Sequence, residues 1–268
     1  MRKIAIINQK GGSGKTTTTV NLAAALALKK RKVLVIDLDP QASTTLWFGM
    51  TNNDRGLLSL FTEDIFINTI TFPTAIEGLS IIPASSWLFG LEKALANEFG
   101  AETILRQRLQ LVDKSIDYIL IDCPPTLGIL TVNALTACDE VIVPVEARIM
   151  ALAGLVQLLQ TVDIIKNRLN NMLKVSGIVA CRVDARTKHS KEIVEELRSK
   201  FKDLVYKTVI RENIKLAEAP SFGKPIIYYD NESNGAKDYD ALAEEVILQE
   251  QVRLSHTLLK MQATMQSL

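Results

Sequence analysis

The chain has 268 residues, 47% of them hydrophobic, and a formal net charge of +1 from 31 Lys and Arg against 30 Asp and Glu. This length suits one large domain, and no Pro-, Gly- or Ser-rich linker divides it, so we expect a single domain over residues 1–268. The near-neutral balance excludes a protein that binds nucleic acid through an overall positive charge, and it leaves room for a local basic patch.

The first predicted elements enclose a glycine-rich loop. The apolar run within Lys3–Asn8 predicts a strand, and Lys15–Leu28, rich in Ala and Leu, predicts a helix. Residues 10–16 between them read KGGSGKT. Backbone amides that converge at a helix N-terminus bind phosphate oxygens, so this order of strand, loop and helix predicts a nucleotide-phosphate site. The alternative is a glycine-rich turn without a ligand, which the flanking strand and helix disfavour.

The residue types of this loop suit phosphate binding. Its three glycines lack a Cβ, so the backbone can adopt left-handed conformations and approach phosphate closely. Lys15 is placed to reach the β- and γ-phosphates of ATP, and the Thr16 hydroxyl to bind Mg²⁺. The predicted nucleotide-binding residues of the loop are Gly11, Gly12, Ser13, Gly14, Lys15, Thr16 and Thr17.

The loop departs from the usual P-loop spacing at its start. The pattern G-x-x-x-x-G-K-[ST] requires a glycine at position 9, where this chain has Gln9. A second lysine, Lys10, precedes Lys15 by five residues. This departure separates one group of ATPases from the rest.

Two aspartate sites follow predicted buried strands further along the chain. Lys32–Ile36 leads into Asp37 and Asp39, and Ile116–Ile121 leads into Asp122. In an open parallel sheet, ligands gather at the carboxyl ends of the strands, where these carboxylates are expected to meet the phosphate loop. We expect Asp122 to hold Mg²⁺ through water, and Asp39 to orient the attacking water or the metal. The alternative is that both are turn or capping aspartates, which the adjacent prolines favour.

Strand-like and helix-like segments alternate over most of the remaining chain. Further strands are predicted at Leu79–Ile82, Val141–Val143 and Val175–Ala180, and amphipathic helices at Glu102–Leu111, Leu155–Leu169 and Lys191–Phe201. This alternation predicts an α/β fold with a doubly wound, mostly parallel sheet and helices on both faces.

The chain shows no sign of export or membrane insertion in its sequence. Its N-terminal segment begins a strand instead of an apolar signal region, and no apolar run approaches the ~20 residues of a membrane-spanning helix. The three cysteines lack C-x-x-C spacing, which suits a reducing compartment. We therefore expect a cytoplasmic protein.

Five segments together resemble the ParA/Soj branch of the ParA–MinD family of deviant Walker ATPases. They are residues 10–19, 37–41, 122–125, 184–188 and 214–226. The first three are typical of the superfamily, and the last two are more similar to chromosomal ParA (Soj) proteins than to MinD. The resemblance extends from the first strand to about Ala243.

The resemblance implies a mechanism in which two subunits sandwich two ATP molecules. Lys10 would then cross to the nucleotide of the other subunit and neutralise charge on the transferred phosphoryl group. It is thus implied to bind nucleotide and to be catalytic, as Lys15 and Asp39 are. Gly11 would lie where the subunits approach each other. The loop around Pro220 is implied to contact the nucleotide. Intrinsic hydrolysis is expected to be slow, because no glutamate is placed as a general base.

The resemblance also implies that the ATP dimer binds double-stranded DNA. The basic residues at the matching positions are Arg186, Lys188, Arg211 and Lys215. No recognition helix is evident, so binding should be independent of sequence, with release by a ParB-like adaptor and an association with the nucleoid. The alternative for each of these residues is an ordinary solvated lysine or arginine.

The last segment, residues 252–268, lies beyond the family core. Leu254, Leu258, Met261 and Met265 recur at helical spacing, with only Arg253 and Lys260 as basic residues. A MinD-like membrane anchor normally carries a basic polar face, so we prefer a helical tail packed on protein and consider a membrane partner unlikely. Membrane-based positioning and the positioning of a protein cargo on DNA remain the alternative functions.

Overall fold

Seven strands form one sheet in which the order β3-β4-β2-β5-β1-β6-β7 places β1 and β5 at the centre. In the computed structural model, which describes residues 1–50, 56–63, 65–95, 97–148 and 150–266, all strands run parallel except β3, which pairs antiparallel with β4. The strands are β1 Arg2–Ile6, β2 Val33–Asp37, β3 Phe72–Pro73, β4 Leu79–Ile82, β5 Tyr118–Asp122, β6 Glu140–Glu146 and β7 Lys174–Cys181. The six strands predicted from apolar runs are confirmed, whereas β3 was not predicted because a two-residue edge strand containing Pro73 carries no such run.

Eleven α-helices lie within the described residues. They are α1 Lys15–Leu28, α2 Ser43–Trp47, α3 Leu57–Thr62, α4 Leu88–Leu95, α5 Ile104–Leu109, α6 Ile129–Ala137, α7 Met150–Arg168, α8 Lys188–Phe201, α9 Ile214–Glu218, α10 Ile226–Tyr229 and α11 Asn234–Gln266. The predicted bounds of α1 are confirmed, and the amphipathic stretch Glu102–Leu111 divides into a 3-10 turn at Ala101–Thr103 followed by α5.

Both faces of the sheet are covered by helices, as predicted for a doubly wound fold. Successive residues of β1 alternate between the two sides: Ile4 and Ile6 pack with α1 and α11, whereas Ala5 packs with α6, α7 and α8. All of these strand residues are fully buried. Burial on both sides explains why the central strands read as continuous apolar runs.

The last helix, α11, is docked by a polar network at the amino ends of the strands. The Arg2 guanidinium donates to Glu140 at 2.7 Å and also to the carbonyl of Val246, and the Tyr118 hydroxyl donates to Glu250 at 2.9 Å. The predicted tail therefore begins within a helix that is already packed on the domain. Its backbone is helical to Gln266, while its side chains from residue 251 onward lie outside the described part of the chain. None of the described helices is long and apolar enough to cross a membrane.

Candidate functional site

The sheet register brings the predicted loops together at the carboxyl ends of β1, β2 and β5. Asp122 at the end of β5 lies opposite Ile6 of β1 on one side and Asp37 of β2 on the other. The phosphate loop, residues 10–16, follows β1 after residues 7–9, and Thr16 at its end contacts Asp122. This is the edge at which open α/β sheets bind ligands.

The phosphate loop adopts the strained backbone that only glycine accepts easily. Gly12 has φ 75° and Gly14 has φ 95°, both in the left-handed region. Gly14 caps α1 without a side-chain acceptor, so the first-turn amides of α1 stay open to a ligand. Among the described residues, the buried hydroxyl of Ser13 also lacks a hydrogen-bond partner. A cradle with open donors fits a polyphosphate.

The side chain of Lys15 lines the cavity next to the phosphate loop. Its side chain is largely buried, and this burial lowers its pKa, while the nearby Asp122 and Asp39 carboxylates act in the opposite direction. An ammonium in such a position interacts more strongly with phosphate than it would in water. The structure thus places Lys15 where the sequence predicts a phosphate ligand.

Asp122 is linked to the loop through threonine hydroxyls. Thr16 Oγ1 and Thr44 Oγ1 each donate to Asp122 Oδ2 at 2.7 Å. Burial raises the pKa of Asp122, while these two hydrogen bonds and Lys15 lower it. A hydroxyl beside a carboxylate is the oxygen donor set that Mg²⁺ uses together with substrate phosphates. Thr16 and Asp122 are thus the residues that would hold the metal, and their role as its ligands stays a prediction.

The two aspartates after β2 have different surroundings. Asp39 lines the cavity beside Lys15, and its Oδ1 accepts from the Gln41 amide at 3.0 Å. Asp37 is fully buried and accepts from the amide and hydroxyl of Thr45 at 2.8 and 2.7 Å. Burial and the neighbouring Asp122 charge raise the pKa of Asp37. Asp37 lies beside Asp122 at the edge where the sequence leads us to expect these carboxylates, although the sequence analysis assigns it no role of its own.

A cavity of about 560 Å³ opens from the phosphate loop, a volume suited to a nucleotide. Beyond the phosphate loop it is also lined by Arg182, Ile210, Arg211, Glu212, Asn213, Leu216 and Ala217. Pro220 is not among the lining residues; it lies in a 3-10 turn at Ala219–Phe222, and its nucleotide contact stays a prediction. Residues 211–213 thus form part of the cavity wall, although the sequence analysis predicts DNA binding for Arg211.

Lys10 does not line this cavity. Its ammonium Nζ lies 2.8 Å from Glu146 Oε2 at the end of β6, and its side chain is 44% exposed. The two lysines of one loop therefore face different surroundings: Lys15 is directed into the cavity of its own subunit, and Lys10 toward the neighbouring strand.

The predicted DNA-binding residues come together in part. An isolated bridge pairs Val183 with Arg211, and this places Arg186, Arg211 and Lys215 around one groove together with Asp184, Asn213 and Ile214. We call it the basic groove. Lys188 is not among its lining residues and is highly exposed at the start of α8.

Each of the four cations has a carboxylate neighbour. The pairs are Arg186 with Asp184 at 2.9 Å, Lys188 with Glu192 at 3.5 Å, Arg211 with Asp238 at 2.6 Å and Lys215 with Glu218 at 3.0 Å. Exposed ion pairs contribute little, so phosphates can replace those of Arg186, Lys188 and Lys215, whereas the carboxylate partner of Arg211 is buried.

Comparison with known proteins agrees with this site. Residues 1–175 match the AAA domain family. The chain is 46% identical to the sporulation initiation inhibitor protein Soj of Bacillus subtilis, over 91% of this chain and 97% of that protein, and 41% identical to the chromosome partitioning protein ParA of Caulobacter vibrioides, over 94% and 96%. Its fold is similar to cobyrinic acid a,c-diamide synthase of Mycobacterium smegmatis with bound ATP analogue and magnesium, with a TM-score of 0.81, 31% identity and coverage of 94% and 96%.

The family match includes the phosphate loop and both aspartate sites, and the two relatives cover more than nine-tenths of the chain. With open loop amides, a buried Lys15 and the Thr16–Asp122 donor set, the site fits ATP and Mg²⁺ as its cofactors. The chain therefore belongs to the ParA/Soj family of partitioning ATPases, and it is an ATP-hydrolysing enzyme.

Proposed function

We propose that this ATPase forms an ATP-dependent sandwich dimer that binds double-stranded DNA without sequence preference and is released when a ParB-like adaptor stimulates hydrolysis. The observation that supports dimerisation is the position of Lys10. Its side chain is about half exposed and does not line the nucleotide cavity of its own subunit. A lysine placed in this way can serve a nucleotide that is bound by another subunit.

Within one subunit, the residues divide the work of phosphoryl transfer. The loop amides and Lys15 bind and orient the phosphates, and Asp39 positions the attacking water. Thr16 and Asp122, with Asp39 nearby, hold Mg²⁺, which when bound neutralises charge on the phosphate oxygens. Lys10 of the second subunit adds positive charge at the transferred group, so hydrolysis requires the dimer.

DNA binding is coupled to nucleotide binding because the basic groove and the nucleotide cavity have lining residues in common. Arg211, Glu212, Asn213 and Ala217 line both spaces. A nucleotide that orders this wall also orders the groove, where Arg186 and Lys215 present their charges. Non-specific binding needs only a few such phosphate contacts. The dimer doubles their number, which favours DNA binding by the ATP state and an association with the nucleoid.

The test is DNA retention with ATP, ADP or no nucleotide, for the parent chain and an Arg186→Ala/Lys215→Ala variant. We expect retention with ATP only, and a loss of about ten-fold or more in the variant. Lys200→Ala is the matched control, since Lys200 is an exposed, ion-paired lysine away from the groove. Full retention by the double variant would contradict the assignment of the groove. ATP-dependent binding to vesicles instead of DNA would favour a MinD-like positioning function.

A further inference from the structure

Glu146 contacts three cations near the phosphate loop and has no part in the roles assigned above. It ends β6 and its side chain is 5% exposed. Lys10, Arg148 and Arg182 surround it, and Arg182 also lines the nucleotide cavity. Burial opposes the ionisation of Glu146, and the three cations outweigh it, so its pKa lies below the usual range.

The two carboxylate oxygens are divided between the cations. Oε2 contacts Lys10 Nζ at 2.8 Å, while Oε1 contacts Arg148 Nε at 2.9 Å and Arg182 at 3.3 Å. If Lys10 leaves, Glu146 keeps two arginine partners. A nearly buried carboxylate without a partner would be costly, and this arrangement avoids that cost. The pair with Lys10 can therefore break without leaving an isolated buried charge.

The backbone of the loop at this point is tied to the same strand. Asn8 Nδ2 donates to the Pro144 carbonyl at 2.7 Å, and the Lys10 amide donates to Asn8 Oδ1 at 2.9 Å. Residue 10 is thus held beside β6 whether or not its side chain contacts Glu146. Release of Lys10 requires side-chain rotation only.

We propose that Glu146 is a positioning residue that holds Lys10 within its own subunit and sets the threshold for the ATP-dependent dimer. This inference rests on the proposed cross-subunit role of Lys10. An ammonium balanced by a carboxylate at 2.8 Å presents little net charge to a distant phosphate, so Lys10 acts on the partner's ATP only after it leaves Glu146. The anionic phosphates of the partner subunit compete with Glu146 for the same cation.

The decisive variant is Glu146→Gln, which keeps the size of the side chain and removes its charge. Dimerisation is followed by sedimentation velocity over a range of protein concentrations with AMPPNP. Each subunit must break one Lys10–Glu146 ion pair when the dimer forms. If removing that pair favours dimerisation about three-fold per subunit, the dimer dissociation constant of the variant falls about ten-fold. Glu146→Asp, which keeps the charge, should return the constant toward the parental value.

Two further chains show whether the effect passes through Lys10. In a Lys10→Ala background, Glu146→Gln should leave the dimer dissociation constant unchanged. Glu196→Gln is the control for the lost charge, because Glu196 pairs with Lys200 on the exposed face of α8 and should leave dimerisation at the parental level.

The outcomes separate this inference from the proposed function. A parent chain that stays monomeric with AMPPNP would contradict the proposed dimer itself. A parent chain that dimerises, with a Glu146→Gln variant that dimerises equally or more weakly, would overturn only the role of Glu146. An effect of Glu146→Gln that persists without Lys10 would overturn it as well.

Discussion

The phosphate-loop edge of the sheet and the basic groove share a wall, yet they hold their charges in opposite ways. At the phosphate edge, Lys15 and Asp122 are buried and fixed by neighbouring strands and hydroxyls. In the groove, Arg186 and Lys215 are exposed and paired with carboxylates two or three residues away in the chain. Fixed, buried charges suit a single ligand geometry, whereas the exposed and replaceable ion pairs of the groove suit the sequence-independent DNA binding that we propose.

The largest effect is expected from Lys15→Ala. It removes the buried ammonium group of the phosphate loop, so ATP hydrolysis should fall at least about 100-fold. Hydrolysis is measured together with binding of a fluorescent ATP analogue, and circular dichroism verifies folding. A variant that hydrolyses ATP at the parental rate would show that the phosphate edge does not depend on this fixed charge.

Asp122→Asn, at the same edge, should raise the unfolding temperature and lower the rate of ATP hydrolysis. Since burial raises the folded-state pKa of Asp122, the ionised carboxylate destabilises the free protein as pH rises from the unfolded-state pKa of ~3.9 to neutrality. The variant should therefore unfold about 2–4 °C higher at pH 7 and lose most Mg²⁺-dependent hydrolysis. A lower unfolding temperature at pH 7, with the difference unchanged at pH 4, would contradict this explanation.

The groove should respond to salt in a way that the phosphate edge does not. In the Arg186→Ala/Lys215→Ala variant, the slope of log affinity for DNA against log salt concentration should become shallower by about two per subunit. Fluorescence anisotropy at several salt concentrations measures it. A change in affinity with no change in slope would mean that these side chains do not contact phosphate.

The smallest effect is expected on the unfolding free energy when Gly14 or Gly11 of the phosphate loop is replaced by alanine. Gly14→Ala places a Cβ at φ 95°, and should cost about 1–2 kcal/mol of unfolding free energy. Gly11 has no positive φ and nothing within 4 Å of an added Cβ, so Gly11→Ala should leave the stability of the monomer unchanged. Chemical denaturation measures both. If Gly11→Ala nevertheless prevents ATP-dependent dimerisation, this glycine is required only between subunits.

The sequence predicts those parts of the molecule that depend on local signals. Apolar runs locate six strands, and the glycine-rich loop locates the start of α1. Glu146 was not predicted, because Lys10 and Arg182 are far from it in the chain and only the folded sheet brings them together. The segment at Arg211 was predicted to bind DNA, and it lines both the groove and the nucleotide cavity, since a single bridge to Val183 brings two distant segments together.

The path of α11 has a practical consequence for labelling this protein. The helix passes from Tyr239, which lines the nucleotide cavity, to Val246 and Glu250 at the amino ends of the strands. At 1.5 Å per residue, Gln266 lies about 40 Å along the helix from Tyr239. A fluorophore attached at Gln266 therefore starts beyond the opposite end of the sheet, where it leaves the cavity, Lys10 and the groove accessible.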